Sequence, residues 1–112
     1  MSLFDKKECI YGPVTHSVGD FDPTVDGCYR NVITIPFDVK PKRMMTVVIK
    51  SDNPVDVAVA REDHAAAGHK DQVTDAVLGP YSTEKFKSMG LFLGVYRGDH
   101  ANVTVEVWLE KE

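Results

Sequence analysis

Wherever this chain is apolar, it alternates. Ile33, Ile35, Phe37 and Val39 take every second position of 29–39, and Met45, Val47 and Ile49 do the same in 43–50. Val55, Val57 and Val59 continue the pattern with Asp56 turned outward, and Leu91, Leu93 and Val95 carry it through 90–96. Val103, Val105, Val107 and Leu109 close the chain in the same rhythm. Successive side chains of a strand point to opposite faces, so a period of two marks a strand with one buried face.

Turn residues divide these runs. Asp20 to Gly27 is a loop by its Asp, Pro and Gly content, and Lys40-Pro41-Lys42 is a turn. Ser51-Asp52-Asn53-Pro54 is a strong turn signal, which predicts a hairpin of 43–50 with 55–60. Pro36 removes a ladder donor and places its strand at an edge or a bulge. Arg61 to Gln72 breaks the alternation and reads as a polar surface excursion. Within it, Glu62 to Ala67 is predicted to make one or two helical turns, ended by Gly68. A strand over 73–78 is stopped by Gly79-Pro80, and 81–89, centred on Phe86, is expected to be a strand crossing between sheets. Arg97-Gly98-Asp99-His100 makes the last turn. The sum is an all-β fold: an antiparallel two-sheet sandwich, jelly-roll-like, with about 7–8 strands in one domain over 1–112.

From Thr46 to Leu109 the order of these segments resembles a known group. Val55-Asp56-Val57-Ala58-Val59 leads into Arg61-Glu62-Asp63-His64 and an insertion. Gly90-Leu91-Phe92-Leu93-Gly94-Val95-Tyr96 and Val103-Thr104-Val105-Glu106-Val107 follow. This order is similar to the GOLD-type (Golgi-dynamics) β-sandwich and its small prokaryotic relatives. Where that family often has Gly-x-Tyr at the start of its penultimate strand, this chain has Gly90-Leu91-Phe92. The resemblance implies a sandwich used for protein–protein or cargo contact, with no catalytic residues to carry over. Fold likeness does not fix function.

Composition narrows the classes. At 112 residues and 43% hydrophobic content, the chain can build a core without a metal or a disulfide scaffold. Thirteen basic against seventeen acidic residues give a formal charge of −4. Lys40, Lys42 and Arg43 make the one small basic cluster, so the basic face that nucleic-acid binding needs is missing. No run approaches the roughly 20 apolar residues of a membrane span, and Met1 to Glu8 does not read as a signal peptide. The localisation expected by default is cytoplasmic. Cys9 and Cys28 sit outside any Cys-x-x-Cys motif. They read as buried free thiols, or as a pair if the first strand runs beside the one starting near Tyr29.

Candidate chemistry is sparse. Asp63, His64 and His69 are weak metal candidates beside Glu62 and Asp71, but a five-residue His spacing points the two rings to different sides of a helix. A polar exposed segment explains the same residues. Asp20, Asp22 and Asp26 suit calcium by type, yet lack the regular spacing of a calcium loop. No nucleophile elbow, phosphate loop or dinucleotide fingerprint occurs, so no catalytic residue and no cofactor is assigned. Arg97-Gly98-Asp99 and the Asn102-Val103-Thr104 sequon are both explained by a turn and the strand after it.

The more useful signal is apolar and faces outward. Phe92 and Tyr96 lie opposite Leu91, Leu93 and Val95, and Trp108 lies opposite Val107 and Leu109. If those two strands pair, Phe92, Tyr96 and Trp108 share one patch. The alternative is that Arg61 to Gln72 or the N-terminal segment covers it. The function expected is a non-enzymatic binding or assembly module acting through a protein partner or self-association as a homo-oligomer. Its rival is a carbohydrate- or small-ligand-binding sandwich, with a metal-dependent enzyme behind both.

Overall fold

The computed structural model describes residues 7–19, 30–63, 65–96 and 99–111. The Asp20–Gly27 loop, Cys28, His64 and the Arg97-Gly98 pair lie outside them. The described strands are β1 (Glu8–Val18), β2 (Arg30–Asp38), β3 (Arg43–Arg61), β4 (Ala66–Ser82), β5 (Ser88–Tyr96) and β6 (Ala101–Lys111). All are antiparallel and belong to one sheet of order β1-β6-β3-β5-β2, with β4 on the other edge of β3. Among the described residues there is no helix, hence none long and apolar enough to cross a membrane.

β3 organises the sheet by changing neighbours. Its first half, Arg43 to Ser51, pairs with β6, and its second half, Asp56 to Arg61, pairs with β5. β4 follows both halves along the opposite edge. A straight strand of 19 residues would span about 60 Å. Yet one short segment reaches both ends: Thr83 N donates to Arg43 O at 2.8 Å, and the Arg61 guanidinium lies 3.3 Å from the Glu84 carboxylate. β3 therefore bends, and the sheet curls with it. The bend falls at Ser51-Asp52-Asn53-Pro54, where Ser51 Oγ donates to Asn53 O at 2.6 Å and the pairing with β4 shifts register.

The curl encloses one core. Met45, Val47 and Ile49 from the first half and Val55, Val57 and Val59 from the second are buried together. Leu91, Leu93 and Val95 of β5 join them, as do Val103, Val105, Val107 and Leu109 of β6. Burying each such side chain is worth about 1.5–3 kcal/mol, and this contiguous apolar face keeps the sheet closed. The ring of Tyr11 on β1 meets that of Phe37 on β2 with centroids 6.3 Å apart, although the two strands are at opposite ends of the hydrogen-bonded path.

Edge chemistry is managed with proline. β1, β2 and β4 each pair with a single described neighbour, and they carry Pro13, Pro36 and Pro80 respectively. Pro13 and Pro80 follow Gly12 and Gly79, whose φ values of 85° and 107° suit glycine. Each pair sits in a bulge, opposite Glu106 and Thr46. A Cβ on Gly12 would run into the Val105 carbonyl oxygen, and one on Gly79 into that of Met45.

Several sequence expectations change. Six strands are described rather than 7–8, in one curled sheet. The predicted 43–50/55–60 hairpin is a single bent strand, because the valine period runs on in phase through Ser51–Pro54 and all six inward residues reach the same core. In the excursion over 61–72, Glu62 and Asp63 are in a turn and β4 begins at Ala66; Arg61 N donates to Ala65 O at 2.8 Å, and strand pairing takes the place of helical turns over the described residues. β4 continues through Gly79-Pro80, since a bulge absorbs the missing donor.

Nor is 81–89 a crossing strand. β4 ends at Ser82, and 83–87 is a turn held by Thr83, which is fully buried. Thr83 Oγ1 donates to Lys40 O at 2.7 Å and accepts from Arg43 N at 2.9 Å. Cys9 is an exposed free thiol rather than a buried one, on a strand whose partner is β6 and not β2.

Candidate functional site

Outward-facing side chains differ in size along the sheet. Where β5 crosses the second half of β3, Phe92 pairs with Ala58, Gly94 with Asp56 and Gly90 with Ala60. The glycines and alanines leave a shallow floor between taller neighbours. Phe92, 36% exposed, and Val32, 51% exposed, stand on one side. His69 and Asp71 of β4 stand on the other, His69 directly across from Ala58. Together they enclose a groove of about 240 Å³ on the outer face.

Asp56 sits in the floor of this groove and is buried. Its Oδ1 accepts from Gln72 N at 2.8 Å and from Gln72 Nε2 at 3.0 Å. Gln72 has a positive φ of 53°, in the irregular stretch of β4 where the register shifts between Val55 and Val57. Asp56 thus caps a distortion of the edge strand, which explains a carboxyl in a position that would otherwise take a small apolar residue. It also puts a second carboxyl beneath Asp71.

Trp108 is elsewhere. β6 pairs with the first half of β3 and β5 with the second, and the two do not pair with each other, so the pairing that would have joined Phe92, Tyr96 and Trp108 does not exist. Trp108 stands opposite Cys9 and Thr46, whereas Phe92 stands opposite Thr34 and Ala58. With Lys7, Thr46 and Val48, the half-buried Trp108 lines a separate apolar depression of about 230 Å³ on the first half. Lys7 belongs to the N-terminal segment expected to cover this face. Tyr96 shares the face of Phe92 and is 47% exposed, but does not line the groove.

The histidines are spread out. His16 Nε2 shares a 2.7 Å hydrogen bond with Tyr11 Oη, and His69 lines the groove. Asp63 Oδ1 accepts from Ala65 N at 3.1 Å and so shapes the β3–β4 turn. Among the described residues, no group of three His, Cys, Asp or Glu side chains could hold a metal ion.

One pair has nucleophile-and-base geometry: Ser17 Oγ and His100 Nε2 share a 2.7 Å hydrogen bond. A nearby depression of about 310 Å³ is lined by His100, Asp99 and Asn53, but not by Ser17. The neighbouring carboxyl of Asp52 gives both oxygens to Asn102, accepting from its backbone N at 2.8 Å and from Nδ2 at 2.9 Å. Those bonds, the backbone one foremost, hold Asp52 below its ordinary pKa of 3.8. Asp52 is thus engaged by Asn102, and among the described residues no carboxylate is hydrogen-bonded to the imidazole as a triad requires. Asn53 Nδ2 also donates to His100 O at 2.8 Å, so this polar cluster ties the bend of β3 to the start of β6.

The sequence signal for the groove lay in outward residues that are too small: Ala58 and Gly94 beside an exposed phenylalanine. No protein-family model matches the chain, and no curated protein matches it at a significant level.

Proposed function

We propose that this chain is a non-enzymatic binding or assembly module that works through protein–protein contact at the groove around Phe92, self-association being its simplest form. The observation that carries this reading is the size and place of the groove. At about 240 Å³ it falls below the 300–1,000 Å³ usual for small-molecule pockets, yet it has room for one long side chain of a partner. An aromatic anchor beside a shallow floor is what a protein contact uses at its centre.

The prolines of β1, β2 and β4 favour the same reading. Strand addition needs a regular edge, and each edge strand carries a proline, two of them in bulges. Contact through an outer face avoids that obstacle. Treating the two halves of the curl as the facing layers of a jelly-roll-like sandwich, and the GOLD-type likeness of the strand order, belong to this proposal and point to the same use. The alternative, a carbohydrate or small ligand, is favoured only by the polar His69 and Asp71 beside Phe92.

Light scattering on a sizing column tests self-association directly, comparing the chain with Phe92→Ala and Trp108→Ala. A dimer or larger that Phe92→Ala splits supports contact at the groove. A species that only Trp108→Ala splits moves the contact to the other face. A monomer in all three removes self-association, and glycan binding then becomes the next measurement.

A further inference from the structure

Two segments far apart in sequence meet at the end of the molecule opposite the bend of β3. Residues 38–43 and 83–88 carry five basic side chains, Lys40, Lys42, Arg43, Lys85 and Lys87, against the acidic Asp38 and Glu84. The chain as a whole has the opposite sign, with a formal charge of −4. Backbone hydrogen bonds lace the segments together. Val39 N donates to Lys87 O at 2.9 Å, Lys42 N to Glu84 O at 2.8 Å and Thr83 N to Arg43 O at 2.8 Å. The buried Thr83 hydroxyl bonds Lys40 O and Arg43 N, and Arg43 Nη1 donates to the carbonyls of Pro41 and Lys42. Lys42 and Glu84, at the two tips, have φ values of 58° and 50°, which a side chain adopts where its surroundings hold it. The basic residues therefore project from a fixed backbone.

Two ion pairs border the patch: Lys40 Nζ lies 3.0 Å from Glu8, and Glu84 lies 3.3 Å from Arg61, which is a sixth basic residue. Lys42, Lys85 and Lys87 are exposed, and Lys85 Nζ stands 6.0 Å from the centre of the Phe86 ring. The sequence neighbours Asp5 and Glu112 adjoin Lys6 and Lys111, so they do not reverse the local excess. Glu62 and Asp63 of the β3–β4 turn limit the patch on one side. The bend with Asp52 lies roughly 25 Å away along β3, about three Debye lengths at physiological salt, so its carboxylates do not cancel the patch.

We propose that this end of the molecule binds an acidic segment of a partner protein, whose Asp and Glu side chains meet Lys42, Lys85 and Lys87. Two adjacent loops match a few residues of extended peptide. A nucleic acid or a membrane spreads its charge over a wider area, where Glu62, Asp63 and the net negative chain oppose it. Lysine ammonium groups are compact and rotate freely, so the site reads acidic charge rather than one exact sequence. The inference uses none of the groove residues and stands apart from the contact reading above.

The test is a titration of the ¹⁵N-labelled full chain with N-acetyl-hexaglutamate amide at low salt, using the hexaglutamine peptide as neutral control. Saturable shifts concentrated at the amides of Lys40, Lys42, Arg43, Lys85 and Lys87 are expected. Lys85→Gln combined with Lys87→Gln should weaken binding about three- to tenfold. Lys50→Gln combined with Lys70→Gln removes the same charge elsewhere and should change it less than about twofold. An absence of saturable shifts at these amides, an equal response to hexaglutamine, or equal weakening by the two double variants overturns the proposal. Tighter binding of hexathymidylate, which carries a similar charge, would assign the patch to a nucleic acid and overturn it as well.

Discussion

Met45, Val47 and Ile49 in the first half of β3 and Val55, Val57 and Val59 in the second are equally buried, and their inward chemistry is nearly the same. Their outward neighbours part company. Beside the first half, Thr46 and Val48 meet Trp108, and the surface is filled to a shallow apolar depression. Beside the second half, Ala58 and Ala60 meet Phe92 and Gly90, and the surface sinks into a groove with carboxyls at its floor and rim. The inner faces need bulk to close the curl. The outer faces are free of that demand, so the size of residues there is available for recognition.

Two unlike polar clamps hold the two ends of the first half. At the start of β3, the buried Thr83 hydroxyl bonds the Lys40 carbonyl and the Arg43 amide away from the surface. At the bend, Asp52 bonds Asn102 on an exposed surface. A buried polar group that loses its partner costs far more than an exposed one, which water can satisfy.

The largest effect tests whether the halves stand or fall together. Leu109→Ala in the first half and Leu93→Ala in the second should each cost about 2–5 kcal/mol in chemical denaturation. Both should shift one cooperative transition. Two separate transitions would show that the bend divides the sheet into independent units.

Thr83→Val should come next, at about 1–3 kcal/mol, because it strands the Arg43 amide and the Lys40 carbonyl while keeping the side-chain volume. A loss of only a few tenths by the same measurement would mean that water reaches the clamp. Ala58→Leu, which fills the groove from its floor, should change stability by about 0.5 kcal/mol or less and split any self-associated species seen by light scattering. If an assembled species persists unchanged, its contact is not the groove.

The smallest effect should be the pH dependence at the bend. Asp52 titrates below its ordinary value of 3.8, so its contribution is fully present above that value. It is lost as pH falls through the lower folded-state value. Asp52→Asn should therefore remove a shallow fall in melting temperature confined to pH values below about 4. An equally steep fall in the variant would assign the acid sensitivity to other carboxyls.

Much of the architecture was legible along the chain. The period of two found β2, β5 and β6, both ends of β3, and their inward residues, because a half-buried strand cannot bury its face in any other rhythm. Ser51-Asp52-Asn53-Pro54 shows the limit. Its composition announces a change of direction, but a hairpin and a bend use the same residues. The choice depended on whether β6 and β5 were placed to pair with successive halves of one continuing strand. Ala65-Ala66-Ala67-Gly68 misled for a related reason: alanine favours a helix, but so short a run gains little from it, and pairing with β3 overrode the preference.

The candidate site divides the same way. Local alternation fixed which side chains point outward, so Phe92, Tyr96 and Trp108 were identifiable from sequence. Strand pairing decided which of them share a neighbourhood: β5 and β6 pair with different halves of β3, which separates Phe92 from Trp108. The groove itself comes from cross-strand neighbours, Ala58 beside Phe92 and His69, and Asp56 and Val32 beside Gly94, brought together from four strands. A period is a property of one segment and can be read from that segment alone. A groove depends on register between segments, and that is decided only when the whole sheet closes on its core.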